Sequence, residues 1–258
     1  MLYIVKIGGN VIDNQEACSA FLKDFVKLDA PKILVHGGGK VATQIAAKLQ
    51  IETQMVEGRR ITDKPMLDVV TMVYGGLVNK NLVAQLQAGG CNAIGLTGAD
   101  GGIIRSVKRP VNTIDYGFVG DIEEVNDQQI NALLSSKLVP VIAPLTYSSE
   151  GILLNTNADT MASATAVAMA AHFEVNLIYC FEKKGVLSDP DDDDSVIASL
   201  NPESYSSYKN SGAINKGMIP KLESSFAALE AGVGRVTICQ ANDLLDAARE
   251  LAGTTIML

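Results

Sequence analysis

The run Ile33-Leu-Val-His-Gly-Gly-Gly-Lys40 limits what this chain can fold into more than any other stretch. Residues of buried-strand character run straight into a triple glycine, and Lys40–Leu49 then carries apolar residues at helical spacing. Strand, glycine turn and helix in that order aim free backbone N–H groups and a helix N-terminus at an anion. Glycine leaves the backbone open to a ligand and tolerates positive φ. A matching turn ends the first strand, Leu2-Tyr-Ile-Val-Lys-Ile-Gly-Gly9. Two such turns on neighbouring strands read as two halves of one phosphate and substrate cleft.

Composition narrows the partners. The chain has 258 residues, of which 47% are hydrophobic, enough for one large domain or two lobes. A net charge of −8 with no Lys/Arg cluster and no Trp argues against nucleic acid. An anionic ligand needs only a few local cations and stays open. The longest apolar run, Ala162 to Ala171, is too short to span a bilayer. Strand-like sequence from residue 2 leaves no room for a signal peptide, so a cytoplasmic location is expected. Cys18, Cys91, Cys180 and Cys239 are far apart in sequence without a CxxC pair, so buried or free thiols are expected rather than disulfides or zinc.

Along the chain, strands and helices alternate, which implies a parallel sheet covered on both faces. Strands are expected at Leu2–Ile7, Lys32–His36, Ala93–Leu96, Val139–Ala143, Leu177–Phe181 and Arg235–Cys239. Asp13 is a candidate cap for the first helix, with Glu16 completing a capping box. Thr53–Thr62 reads as a hairpin or an extended segment. The helix after Lys64-Pro65 runs to Ala88, broken or kinked by Gly75-Gly76. From Ile103 to Val125 short β-type runs suggest antiparallel strands standing off the main sheet. A composition shift at 172–176 marks a soft lobe boundary.

Several residues carry candidate chemistry, each with a plain structural alternative. Lys6, two residues before Gly8-Gly9, either snorkels from a strand end or meets an anion. His36 reads as a hydrogen-bonded core histidine. Arg60 suits a bidentate carboxylate clamp, or is one more surface arginine. Asn155, Asn157 and Asp159 alternate ahead of a helix, so all three can enter one cleft or simply cap that helix. Lys221, after Lys216-Gly-Met-Ile-Pro220, is a second candidate phosphate cation. The acidic run Asp189–Asp194 lacks the glycine and glutamate of a calcium loop and reads as solvated. No Walker sequence and no GxGxxG opening a helix is present.

Taken in order, the segments Val5-Lys-Ile-Gly-Gly9, Val35-His-Gly-Gly-Gly39, Gly58-Arg-Arg-Ile-Thr62, Val78-Asn-Lys80, Gly95-Leu-Thr-Gly98, Asp100-Gly-Gly102, Gly117-Phe-Val-Gly-Asp121, Asn155-Thr-Asn-Ala-Asp159 and Lys216-Gly-Met-Ile-Pro-Lys221 resemble the amino acid kinase family. The resemblance covers nearly the whole chain, and it is strongest to the branch acting on N-acylated glutamate. It implies an α/β fold, a three-layer αβα sandwich around a mainly parallel open sheet. Residues 1–174 would form an acyl-amino-acid-binding lobe and 175–258 a nucleotide-binding lobe, on one continuous sheet. The implied reaction is ATP-dependent phosphorylation of the side-chain carboxylate of N-acetyl-L-glutamate in arginine biosynthesis. N-succinyl-L-glutamate, or another acid handled by the same fold, is the alternative. A sensor that lost catalysis ranks last, because Lys6, Lys221 and Asp159 are all present.

The same resemblance assigns roles. Lys6 and Lys221 would stabilise the transferring phosphoryl, and Asp159 would organise them. Gly38, Gly39, Arg60, Asn155 and Asn157 would bind the acceptor. Gly8, Gly9, Glu182, Lys183, Gly185, Lys216 and Gly217 would bind the nucleotide. ATP would bring Mg²⁺ on its phosphates, with no metal site in the protein. A homodimer without arginine feedback is expected, because the chain starts at the first strand. The sequence departs from the family on the nucleotide side. Phe181-Glu-Lys-Lys-Gly185 replaces the usual Thr-Asp-Val-x-Gly, and Lys216-Gly217 replaces a double glycine. The extra lysines are expected to add phosphate-facing charge.

Overall fold

The computed structural model describes residues 1–56, 58–214 and 217–258. The main sheet is built from β1 (Leu2–Ile7), β2 (Lys32–His36), β3 (Ala93–Leu96), β4 (Val139–Ile142), β5 (Val175–Phe181), β6 (Ser199–Leu200), β7 (Arg235–Gln240) and β8 (Thr254–Ile256). Their spatial order is β6-β8-β7-β5-β1-β2-β4-β3. All neighbours are parallel except β7 and β8. β5 pairs with β1 from Leu2↔Val175 to Ile7↔Cys180, so the sheet runs unbroken across the composition shift.

Strand alternation divides the core into two layers. Val5, Ile7, Leu34, Ile178 and Cys180 face one side, where helices α1 (Gln15–Lys27) and α2 (Gly39–Lys48) pack with the 64–88 segment. Leu2, Ile4, Ile33, Val35, Leu177 and Tyr179 face the other, against α3 (Ala158–Met169) and α4 (Ile219–Glu230). A helix layer on each face gives the expected αβα sandwich. A four-stranded sheet stands apart, ordered Leu153–Asn155, Leu145–Tyr147, Ile104–Lys108, Gly120–Val125. It contains the antiparallel pair expected from the 103–125 region.

Several local expectations change. The cap of α1 is Asn14, whose side chain accepts from the Glu16 and Ala17 N–H groups at 3.1 and 3.0 Å. Asp13 instead ends a short helical turn, Gly9–Asp13. Gly75-Gly76 does not break its helix. Residues Thr71–Val78 widen into a π-helix between two α-helical stretches, a geometry that often marks functional sites. A helix over Pro202–Ser211, capped by Asn201 and Ser204, and the strands β6 and β8 had no clear sequence signal. All four cysteines are free and buried. Parallel register nevertheless brings Cys180 and Cys239 side by side, 3.8 Å apart at sulfur.

Candidate active site

Even-numbered residues of β1 face α3 and α4. That parity points Lys6, the last even residue of the strand, at the N-terminal turns of both helices. Asp159 lies in the first turn of α3 and Lys221 in the first turn of α4. The Asp159 carboxylate takes one ammonium on each oxygen: Lys6 Nζ at 2.7 Å and Lys221 Nζ at 3.0 Å. Burial works to raise the Asp159 carboxyl, but the charges and hydrogen bonds of Lys6 and Lys221 outweigh it and hold the group below the usual carboxylate range. Lys221 is lowered, first by burial and then by the nearby Lys6 charge, with Asp159 opposing. Two cations sharing one anion leave net positive charge in the site.

The glycine turns at the ends of β1 and β2 touch. Gly37 N–H donates to the Ile7 carbonyl at 3.2 Å, and a Cβ on Gly9 would lie 3.8 Å from Gly39 N. Gly38, the residue before α2, has φ +149°, which strains any side chain, and a would-be Cβ there lies tight against the Tyr74 ring at 3.1 Å. His36 is fully buried as expected for a core residue. Its Nδ1 lies 2.7 Å from the Gly37 carbonyl and its Nε2 3.1 Å from Asn79 Nδ2. Asn79 Nδ2 can only donate, so the ring is the neutral tautomer that donates through Nδ1. Burial lowers its pKa to about 4, which keeps it neutral. This pair ties the glycine turn to the core.

The turns open into a cleft of about 730 Å³ lined by Lys6, Gly8, Gly9, Gly38, Gly39, Arg60, Phe181, Glu182, Lys183, Gly185 and Lys221 among others. The expected hairpin forms from Met55–Val56 and Arg59–Arg60, and it delivers Arg60 to the cleft wall. Arg60 is buried and donates to the Gly39 carbonyl at 2.8 Å and Thr43 Oγ1 at 2.9 Å. A smaller cavity of about 200 Å³ continues from the glycines past Arg59, Arg60, Tyr74 and Arg109 to Asn155 and Asn157. Asn155 donates to Thr62 Oγ1 at 2.9 Å. Asn157 caps α3, accepting from Asp159 N–H at 2.8 Å and Thr160 N–H at 3.1 Å. Capping and facing the cavity therefore hold together. Asp159 is already helical, so it reaches the cleft from a helix rather than along an extended strand.

On the opposite rim, Lys183 lines the cleft but its ammonium pairs with Asp193 at 2.6 Å, and Lys184 pairs with Asp194 at 2.5 Å. The acidic run thus neutralises both lysines at the surface. Gly217, in the turn ahead of α4, does not line the cleft, and Lys216 lies outside the described residues. No group of three His, Cys, Asp or Glu suited to a metal occurs among the described residues. No helix among them is long and apolar enough to cross a membrane.

Sequence reasoning passed over three residues at the site. Tyr74 packs on Gly38 beside Arg60; burial raises its pKa and the Arg60 charge opposes. Its only signal is the double glycine that follows. Phe181 was visible as a departure but not as a contact, yet it lies beside both lysines. Arg109 lines the smaller cavity from a strand end 49 residues beyond Arg60, a proximity that no local pattern announces.

Residues 1–240 match the amino acid kinase family. The acetylglutamate kinase of Cytophaga hutchinsonii is 61% identical over 250 residues, covering 96% of this chain and 95% of that protein. The acetylglutamate kinase of Phocaeicola vulgatus is 56% identical over 255 residues, covering 99% and 98%. Among solved structures, the protein smu.665 of Streptococcus mutans superposes with a TM-score of 0.81 at 30% identity, covering 99% of this chain and 98% of that one.

Proposed function

Because the chain belongs to the amino acid kinase family, we propose that it transfers the γ-phosphoryl of ATP to the side-chain carboxylate of N-acetyl-L-glutamate, in arginine biosynthesis. The products are N-acetylglutamyl 5-phosphate and ADP. The observation that carries this reading is the Lys6–Asp159–Lys221 cluster at the mouth of two facing glycine turns. Relatives named acetylglutamate kinase at 61% and 56% identity over nearly the whole chain support the acceptor.

A carboxylate acceptor is ionised at neutral pH and needs no general base. One of its oxygens bonds to the γ-phosphorus as the bond to the β,γ-bridging oxygen breaks, and ADP leaves with that electron pair. The demand on the protein is positioning and charge neutralisation. Lys6, on the sheet, is placed to neutralise the moving phosphoryl. Lys221, entering from α4, would meet the departing ADP. Asp159 holds the two ammoniums in register. Backbone N–H groups of Gly8, Gly9, Gly38 and Gly39 would hold phosphoryl oxygens and the acceptor, Arg60 would clamp its α-carboxylate, and Asn155 and Asn157 would take the acylamino end. Glu182, Lys183 and Gly185 would flank the nucleotide, so residues 175–258 form the nucleotide side and 1–174 the acceptor side. Asp159 is committed to two ammoniums, so Mg²⁺ would arrive on the ATP phosphates, where it neutralises the β- and γ-oxygens. A homodimer in the cytoplasm completes the proposal; sedimentation velocity of the purified chain tests the dimer.

A second acceptor has its own support. The smaller cavity meets a further one of about 540 Å³ at Arg59 and Arg109. Arg109 pairs with Asp121, yet its Nη1 is buried with no hydrogen-bond partner among the described residues. A cationic wall there suits an acyl group ending in a carboxylate, as in N-succinyl-L-glutamate. ADP release with Mg-ATP and N-acetylglutamate, N-succinylglutamate or free glutamate decides between them. Turnover with an acylated acid, reduced about 10³-fold in Lys6→Ala, is expected from the loss of one donor to the transition state. No turnover with either acylated acid, in protein that binds ATP, rejects the kinase reading.

A further inference from the structure

We propose that Phe181 is a positioning residue, its ring face serving as the platform that holds Lys221 and Lys6 in place for phosphoryl transfer. The inference rests on the kinase reading and goes beyond it to a side chain that the family pattern does not supply. Phe181 ends β5, two residues after Tyr179, so both rings lie on the α3/α4 side of the sheet. They stack with centroids 6.2 Å apart and planes 15° off parallel. Lys6 is the register partner of Tyr179, which places its ammonium next to the following ring on that face. Lys221 Nζ sits 3.6 Å from the Phe181 centroid and Lys6 Nζ 4.8 Å. Both lie within reach of a cation–π interaction. The ring also packs beside the first glycine turn, where a Cβ on Gly8 would lie at ordinary contact distance, 3.8 Å, from Phe181 Cδ1.

The physical problem is to hold two like charges together without cancelling them. Asp159 offers one oxygen to each lysine and has no further charge to give. A second carboxylate would hold the lysines more firmly but would remove the net positive charge that phosphates need. The negative face of an aromatic ring attracts both ammoniums, keeps water from that side and leaves their charge intact. A hydroxyl side chain at the end of β5 could not do this.

The test is steady-state phosphoryl transfer with Phe181→Leu, Phe181→Tyr and pentafluorophenylalanine incorporated at position 181. Fluorination keeps the ring's shape and removes its negative face. Wild-type turnover with an acylated glutamate tests the kinase reading on its own, before any variant is compared. Phe181→Leu is expected to lower kcat about tenfold, the size of one desolvated cation–π contact, with both KM values within about twofold. Phe181→Tyr restores kcat to near wild type, and the fluorinated ring falls to the leucine level. NMR of the purified chain gives a readout free of activity: the ring shifts the Lys221 ε-methylene upfield in wild type, and leucine abolishes that shift. If the leucine variant does not fold, the fluorinated ring decides alone. Equal kcat for the normal and fluorinated rings, or a change confined to the ATP KM, overturns the proposal.

Discussion

The two rims of the cleft are built from different materials. On the rim proposed to take the acceptor, Arg60, His36 and Asn79 are buried and tied to backbone carbonyls through hydrogen bonds of about 3 Å. On the nucleotide rim, Lys183 and Lys184 are exposed and held by aspartates of an exposed acidic loop. Buried, fully paired polar groups are costly to disturb, whereas exposed ion pairs contribute little. The comparison teaches that the acceptor side is preorganised in the free protein. The nucleotide side relies on Lys221, Asp159 and Phe181 at its base, and its outer charges are free to rearrange.

The sharpest way to break the acceptor rim is Gly95→Ala. A Cβ on Gly95 would fall 2.0 Å from Asn79 Oδ1, 2.8 Å from Lys80 Nζ and 2.9 Å from Val83 Cγ2. Asn79 is fully buried and holds His36, so it cannot move aside freely. Denaturant unfolding is expected to show a loss of about 3 kcal/mol or more, as in severe overpacking. A loss under about 1 kcal/mol would mean that this rim is softer than its hydrogen bonds indicate.

Acid probes the same network more gently. The His36 pKa is depressed to about 4 by burial, below its unfolded value near 6.5. Between those values the unfolded chain binds the proton and the folded chain does not, so stability falls as pH drops through that window. Linkage puts the full loss at about 3 kcal/mol below pH 4. His36→Gln should flatten this part of the pH dependence in urea melts. An unchanged slope in that window would show that His36 is not its source, because Asp159, held below the usual carboxylate range, loses its contribution only at lower pH.

Kinetics separates the rims with smaller effects. Arg60→Lys keeps the charge but loses the planar fork whose Nη2 reaches Gly39 and Thr43 while Nη1 reaches Thr53. The acceptor KM is expected to rise about tenfold with the ATP KM steady. A rise in the ATP KM instead would place Arg60 on the wrong side of the cleft. The smallest effect is expected for Lys183→Ala. Because Asp193 already pairs with Lys183 in solvent, the ATP KM should change by no more than about threefold. A larger rise would show that ATP draws Lys183 off Asp193 and that the outer lysines face phosphate.

Much of the fold was legible because its signals are local. The β1 and β2 strands, both glycine turns and the 55–60 hairpin follow from apolar runs and glycine placement. Lys6 announced itself as a lysine in a buried strand, and His36 as a core imidazole. Weak signals failed where tertiary contacts overrode propensity. The 202–211 helix shows no apolar stripe because only Tyr205 is buried, and β6 and β8 are too short to show a period. Gly75-Gly76 reads as a break, yet packing against the sheet carries the helix through it as a π-turn.

By itself the sequence determined the alternating order of strands and helices, the backbone openings at the two glycine turns and the ordered set of family motifs. Each depends on residues close together in the chain, where sterics and hydrophobic period act directly. Tertiary structure alone decided that Asp159 bridges Lys6 and Lys221, that Phe181 lies beside both, that Arg109 lines the smaller cavity and that Asp193 occupies Lys183. Those contacts join residues from 10 to 175 positions apart, brought together by strand register and by helices packed on one face of the sheet. No local propensity encodes such a meeting, because it is set by where the whole sheet places its strand ends.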